Sequence, residues 1–148
     1  MLVHYNGHVG NLDQYYNFAK ENNIRVIEDA AHAFGSTYKN KLIGTTGDIA
    51  CFSFDGIKNI TCGEGGMVIS KDKKLINNIK DLRLLGVIGD SKKRAMKKRS
   101  WDFDVKEQGW RYHMSDIMAS IGIEQLKKFD KKFKKRRIDL NRYYRKKL

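Results

Sequence analysis

An α/β fold is what these 148 residues predict, and three observations carry the prediction. A stretch of helical periodicity is followed at once by a short β-branched run. Two further runs, 48–54 and 67–70, are apolar with little alternation, the pattern of strands covered on both faces. The second of these leads into another amphipathic helix. The amount of apolar matter suits this: 41% of residues are hydrophobic and 11% aromatic, enough for a core and too much for a wholly disordered chain. The length fits one domain, or a piece of one.

The first helix is expected from Leu12 to about Asn22, where Leu12, Tyr15, Tyr16 and Ala19 recur on one face and Asn11 with Gln14 resembles a capping box. Asn22-Asn23 breaks it, and Ile24-Arg25-Val26-Ile27-Glu28 reads as a buried parallel strand. Residues 38–42 read as a small hairpin, 48–54 as a strand, and Gly63-Glu64-Gly65-Gly66 as a turn into the strand 67–70. Leu75, Ile76, Ile79 and Leu82 mark a helix ending at Gly86. Residues 87–112 lack periodicity and read as a long loop. Ser115 then caps a helix with Asp116 in its first turn. Ile117, Ile121, Leu126, Phe129 and Phe133 form its apolar stripe, with Phe129 and Phe133 on the buried side, and it continues, with or without a break, toward Leu148. The chain thus falls into an αβ part (1–86), a loop (87–112) and a helical segment (113–148).

Charge is distributed unevenly. The first 74 residues hold 8 Lys/Arg and 8 Asp/Glu, which leaves 22 of the 30 basic and 9 of the 17 acidic residues, and so the whole net charge of +13, to the rest. The stretch 92–99 and the run from Lys127 to Arg137 make basic polyanion or nucleic-acid binding the non-enzymatic alternative. Charge runs are more often solvated helix faces, however, and an AT-rich coding bias would also raise lysine and remove proline, of which there is none. No apolar run reaches about 18 residues, and Met1 to Asn6 has neither a charged n-region nor an apolar h-region, so neither a membrane span nor a secretory signal is expected. Two cysteines, Cys51 and Cys62, are too few for a disulfide framework, and His4 with His8 does not complete a metal site. A reducing, cytoplasmic setting and no metal are the expectation.

Two chemistry-bearing residues fall at strand ends. Asp29 follows the run 24–28, and Lys58 lies four residues beyond the strand ending at Phe54. In open α/β sheets ligands bind beyond the carboxyl ends of the strands. By pattern alone, the lysine reads more readily as a solvated side chain, with a packed core histidine the lesser alternative for His32 and an ordinary strand serine the alternative for Ser53.

The literal strings go further. Glu28-Asp29-Ala30-Ala31-His32-Ala33, then Gly47-Asp48-Ile49-Ala50-Cys51-Phe52-Ser53-Phe54, then Lys58-Asn59-Ile60-Thr61-Cys62-Gly63-Glu64-Gly65-Gly66 closely resemble the DegT/DnrJ/StrS family of sugar aminotransferases. The likeness continues through Met67-Val68-Ile69, Arg111-Tyr112-His113-Met114-Ser115-Asp116 and Gly122-Ile123-Glu124-Gln125-Leu126, nearly the whole chain. It implies the central part of a fold-type I aminotransferase large domain and pyridoxal 5′-phosphate as cofactor. By resemblance Lys58 carries the cofactor and shuttles a proton, Asp29 pairs with the pyridine nitrogen, His32 lies beside the ring, and Ser53 contacts the phosphate. Some relatives are dehydratases with histidine in place of the lysine; Lys58 points to transamination instead.

Two local departures stand out. Arg111 occupies a position where many members carry an asparagine that reaches the phosphate of the neighbouring subunit, and Asp55 adds a negative charge near Ser53. The implied reaction moves an amino group, usually from glutamate, to a nucleotide-linked keto-sugar in amino-sugar synthesis, in a homodimer or with a complementing fragment. The family's segments on either side of this stretch imply a fragment or the product of a split gene, with an inactive remnant as a further alternative.

Overall fold

The computed structural model describes residues 1–89, 96–98 and 103–148. Of the basic stretch 92–99, Lys92, Lys93, Arg94, Ala95 and Arg99 lie outside the described residues. The chain packs as two compact units, one made of 1–69 with 115–148, the other of 70–114.

The first unit is built on a sheet. Strands β1 (Leu2–Val3), β2 (Ile27–Asp29), β5 (Ile49–Ser53) and β6 (Gly66–Ser70) lie side by side in that order, and β1, β2 and β5 run parallel. The step from β1 to β2 is a βαβ crossover through α1 (Leu12–Glu21). Asn11 Oδ1 accepts from Gln14 N at 3.3 Å to cap α1, Asp13 sits in its positive first turn, and Asn23 ends it in the left-handed region. The predicted strand 24–28 enters the ladder only at Ile27. Ile24 N still closes the helix by donating to Ala19 O, and Arg25 is held by Asp48, so 24–26 is a lead-in rather than strand. The predicted hairpin is β3 (Thr37–Tyr38) and β4 (Lys41–Leu42), joined through Lys39 and Asn40, both at positive φ as a two-residue turn requires.

The core under the sheet consists of Leu12, Ala30, Ala33, Ile43, Ala50 and Phe52. Three alanines leave room for α1 and for the ring of Phe34, which meets Phe52 and Phe54 edge-on, each at 5.9 Å. The C-terminal helix is interrupted: α3 (Asp116–Lys128), capped by Ser115 Oγ accepting from Met118 N, passes through a π-helical turn (Phe129–Lys134) into α4 (Lys135–Lys147). At the break, Phe129 sets its ring edge-on to Phe34 at 5.1 Å and fills the place where Gly35 has no side chain. Gly35 has φ of +83°, and a Cβ there would run into the Phe129 ring. Gly35→Ala is therefore expected to destabilise the unit by about 1–3 kcal/mol, read as a lowered denaturation midpoint at unchanged slope.

The stripe on α3 behaves differently from expectation. Phe129 is buried and Phe133 half-buried, whereas Ile117, Ile121 and Leu126 are exposed, because no described element packs on that face.

In the second unit, α2 (Lys73–Leu82) starts at Asp72, whose Oδ1 accepts from Leu75 N at 3.0 Å. The helix stops at Leu82, earlier than Gly86, because the chain turns to pair with its own return. Leu84 bridges Arg111 and Val87 bridges Val105, both antiparallel, with Trp110 N donating to Leu82 O at 2.7 Å. The segment expected as loop thus carries a rudimentary ladder, too short to impose alternation on the sequence. Among the described residues no helix is long and apolar enough to cross a membrane.

Candidate active site

The sheet register decides which side chains share a face. Leu2, Glu28 and Ala50 are paired across β1, β2 and β5, and so are Val3, Asp29 and Cys51. Successive strand residues point to opposite faces, so the first set lies on the core side and the second, joined by Ser53 two residues beyond Cys51, on the other. Burial follows this: Glu28, Ala50 and Phe52 are buried, and Asp29, Cys51 and Ser53 are half-buried. The Cys51 thiol is pushed above its ordinary range, first by burial and then by the neighbouring Asp29 carboxylate.

Asp29 ends β2, and both its carbonyl and its carboxylate are held. His4 N donates to Asp29 O at 3.0 Å, and Asp29 Oδ1 accepts from Ala31 N at 3.1 Å. The turn that follows carries His32. The imidazole Nδ1 accepts from Asn6 N at 3.2 Å, and the ring meets Tyr5 edge-on at 5.7 Å.

Ser53 ends β5. Its Oγ accepts from Asp55 N at 3.4 Å, which leaves the hydroxyl hydrogen to be donated elsewhere. Asp55, the unexpected negative charge, spends its carboxylate on the turn: Oδ2 accepts from Ile57 N, and its carbonyl accepts from Lys58 N at 3.0 Å. The loop bearing the half-buried Lys58 is closed at its neck, where Cys62 N and Thr61 Oγ1 both donate to Phe54 O. Asn59 then ties that loop to the His32 turn, its Nδ2 donating to Phe34 O at 2.9 Å and to His32 O at 3.4 Å. Asp29, His32, Ser53 and Lys58 all belong to the first unit, on two adjacent strand ends and the turns that follow them. Arg111 belongs to the second unit, where it is exposed and bridges Leu84.

Sequence reasoning gave Asn59 no role, although it adjoins the lysine. It also missed a polar network beneath the site. Glu28, 1% exposed, accepts from His4 Nε2 at 2.7 Å through Oε2 and from the Tyr16 hydroxyl at 2.5 Å through Oε1. Tyr16 in turn accepts from Asp48 N at 2.9 Å, and its hydroxyl pKa is pushed well up by burial and by Glu28. Gly47 must be glycine here, since a Cβ would strike Glu28 Oε1 and the Tyr16 hydroxyl. Glu28→Ala would strand a buried donor on His4 and a half-buried one on Tyr16, at a cost of about 2–5 kcal/mol, measurable by urea denaturation.

Comparison with known proteins finds relatives of the whole stretch. The family model described as the DegT/DnrJ/EryC1/StrS aminotransferase family matches residues 1–148. A UDP-4-amino-4,6-dideoxy-N-acetyl-β-L-altrosamine transaminase from Campylobacter jejuni is 44% identical over 135 residues, covering 91% of this chain and 34% of that protein. GDP-perosamine synthase of Escherichia coli O157:H7 is 42% identical over 130 residues, covering 88% of this chain and 33% of that protein. The PMP-form of a sugar aminotransferase from Streptococcus pneumoniae superposes with a TM-score of 0.79 at 30% identity, over 95% of this chain and 40% of that one. The chain spans about a third of the length of the curated relatives it matches.

Proposed function

The chain belongs to the DegT/DnrJ/EryC1/StrS aminotransferase family, and on that premise we propose that it holds pyridoxal 5′-phosphate at the ends of β2 and β5 and transfers an amino group. The acceptor is a keto-sugar carried on a nucleotide and the donor an amino acid, glutamate first. The similar proteins bear UDP- and GDP-sugar names, which supports the substrate class and leaves the nucleotide open. The observation that carries the reading is the juxtaposition of Asp29 and Ser53 on one sheet face with the Lys58 loop, which Asn59 pins to the His32 turn.

The donor set fits the cofactor. A carboxylate matches a ring nitrogen, an amine matches an aldehyde, and a hydroxyl with a free hydrogen matches a phosphate oxygen. When bound, the cofactor supplies an electron-accepting ring. Asp29 keeps the proton on the ring nitrogen. Lys58 Nζ would hold the cofactor through its aldehyde and would carry a proton at the substrate carbon. Ser53 Oγ donates to the phosphate, His32 orients the ring, and the Arg111 guanidinium suits a phosphate in a homodimer. Two free cysteines, one buried and one half-buried, fit a reducing, cytoplasmic compartment.

The test is retention of cofactor. Visible absorbance after incubation with pyridoxal phosphate and exhaustive dialysis is expected to show one equivalent per chain, reduced in Ser53→Ala and Asp29→Ala and bleached by glutamate with release of one equivalent of 2-oxoglutarate. Absorbance that dialyses away equally from all three proteins would refute the reading.

A further inference from the structure

A buried polar cluster lies outside the residues given chemical roles. His4 and Glu28 are both buried, their side chains 0% and 1% exposed, and they join at 2.7 Å. The other Glu28 oxygen takes the Tyr16 hydroxyl, so both carboxylate oxygens are used. His4 Nδ1 has no hydrogen-bond partner among the described residues. With Nε2 donating, the neutral ring leaves only a lone pair unmatched at Nδ1, the cheaper of the two arrangements.

His4 is also the first residue of a difficult turn. Asn6 has φ of +53° and Gly7 +76°, two consecutive left-handed residues, the first of them not glycine. The turn is held at its start by the His4 side chain, by His4 N on Asp29 O, and by Gly7 N on His4 O at 3.2 Å. At its end Ser36 Oγ donates to Gly7 O at 3.1 Å. Between these anchors Asn6 N is aimed at His32 Nδ1. An amide N–H can only donate, so Nδ1 must accept, and in the neutral imidazole the hydrogen is then on Nε2.

We propose that the buried His4–Glu28–Tyr16 cluster is a positioning device that, through the 4–7 turn, fixes His32 as its Nε2–H tautomer, so that His32 offers the site a donor and its contact on the bound group is an acceptor atom. His4, Glu28 and Tyr16 touch no bound group and act through Asn6 and His32. The part concerning the bound group rests on the function proposed above; the tautomer itself does not, and it can be measured without cofactor.

The experiment is nitrogen-15 NMR on the histidine-labelled chain without cofactor, with His32→Gln identifying the His32 signals among the four histidines. The wild-type chain is expected to show His32 as one tautomer, protonated at Nε2. His4→Ala is expected to give averaged shifts of a tautomer mixture, and His4→Gln, which keeps a donor toward Glu28, to restore the single tautomer. A general loosening of the fold would not be rescued in this way. Should His4→Ala unfold, Tyr16→Phe decides alone: a shifted tautomer ratio supports the device and an unchanged one overturns it. His32 protonated at Nδ1 in the wild-type chain, or a His4→Ala spectrum like wild type, also overturns it. Pyridoxal phosphate retention is scored separately, so a chain that passes the NMR test and fails to keep cofactor counts against the proposed function and not against the device.

Discussion

On the function proposed above, Lys58→Ala is expected to abolish amino-group transfer while leaving the chain folded. The side chain is asked to do two things, bond to the cofactor's aldehyde carbon and carry a proton at the substrate carbon. The proton-transfer role alone is worth about 10²–10⁴ in rate, so losing both should lower turnover by on the order of 10⁴-fold or more. The fold should survive because the bonds that shape this loop come from elsewhere: Lys58 N to Asp55 O, Thr61 and Cys62 to Phe54 O, and Asn59 to the carbonyls of Phe34 and His32. Unchanged circular dichroism and denaturation midpoint, together with the lost turnover, are the expected pair of readings. Lys58→Arg should be equally inactive, since a guanidinium keeps the charge and gives up the nucleophile. Normal turnover by either variant would remove the lysine from the mechanism.

Asp29→Asn should show the second-largest loss, on the order of 10²–10³ in kcat, the scale typical of removing one preorganised electrostatic group. The amide is the informative substitution. Its oxygen can still accept from Ala31 N, as Asp29 Oδ1 does at 3.1 Å, so the turn after β2 is kept. What is lost is the negative charge that, on the proposed function, would hold the proton on the ring nitrogen. KM for the amino donor should move little, because the carboxylate acts on the ring and not on the donor. A fall in KM-related binding with kcat preserved would instead assign Asp29 to substrate recognition.

The residues at the strand ends were legible because the physics that places them is local. A β-branched run followed by Asp29, and an apolar run followed by a glycine-rich turn bracketing Lys58, each announce a strand and its carboxyl end. Capping residues were legible for the same reason: Asn11 and Ser115 act within three residues of themselves. Glu28 was not legible as a buried network member, since its partners His4 and Tyr16 lie 24 and 12 residues away. A carboxylate in a strand gives no local sign of who will neutralise it. A break in the last helix was allowed for, but its place at Phe129 was hidden. Helical spacing continues through 129–134, and only the cavity over Gly35, nearly a hundred residues earlier, explains why Phe129 is drawn inward. The ladder of 84–87 with 105–111 consists of single bridges, too few to mark the sequence with a period of two.

On the proposed function, Lys58 is the lysine this fold presents to pyridoxal phosphate. That assignment is tested most directly by incubating the chain with the cofactor, reducing with borohydride and mapping the modified peptide by mass spectrometry, with Lys58→Ala in parallel. The parallel variant is needed because 14 of the 21 lysines lie in residues 75–148, and their amines can react without a site. Selective modification of Lys58, lost in the variant, is the expected result. Modification scattered over the lysine-rich second half, with the same pattern in Lys58→Ala, would contradict the account.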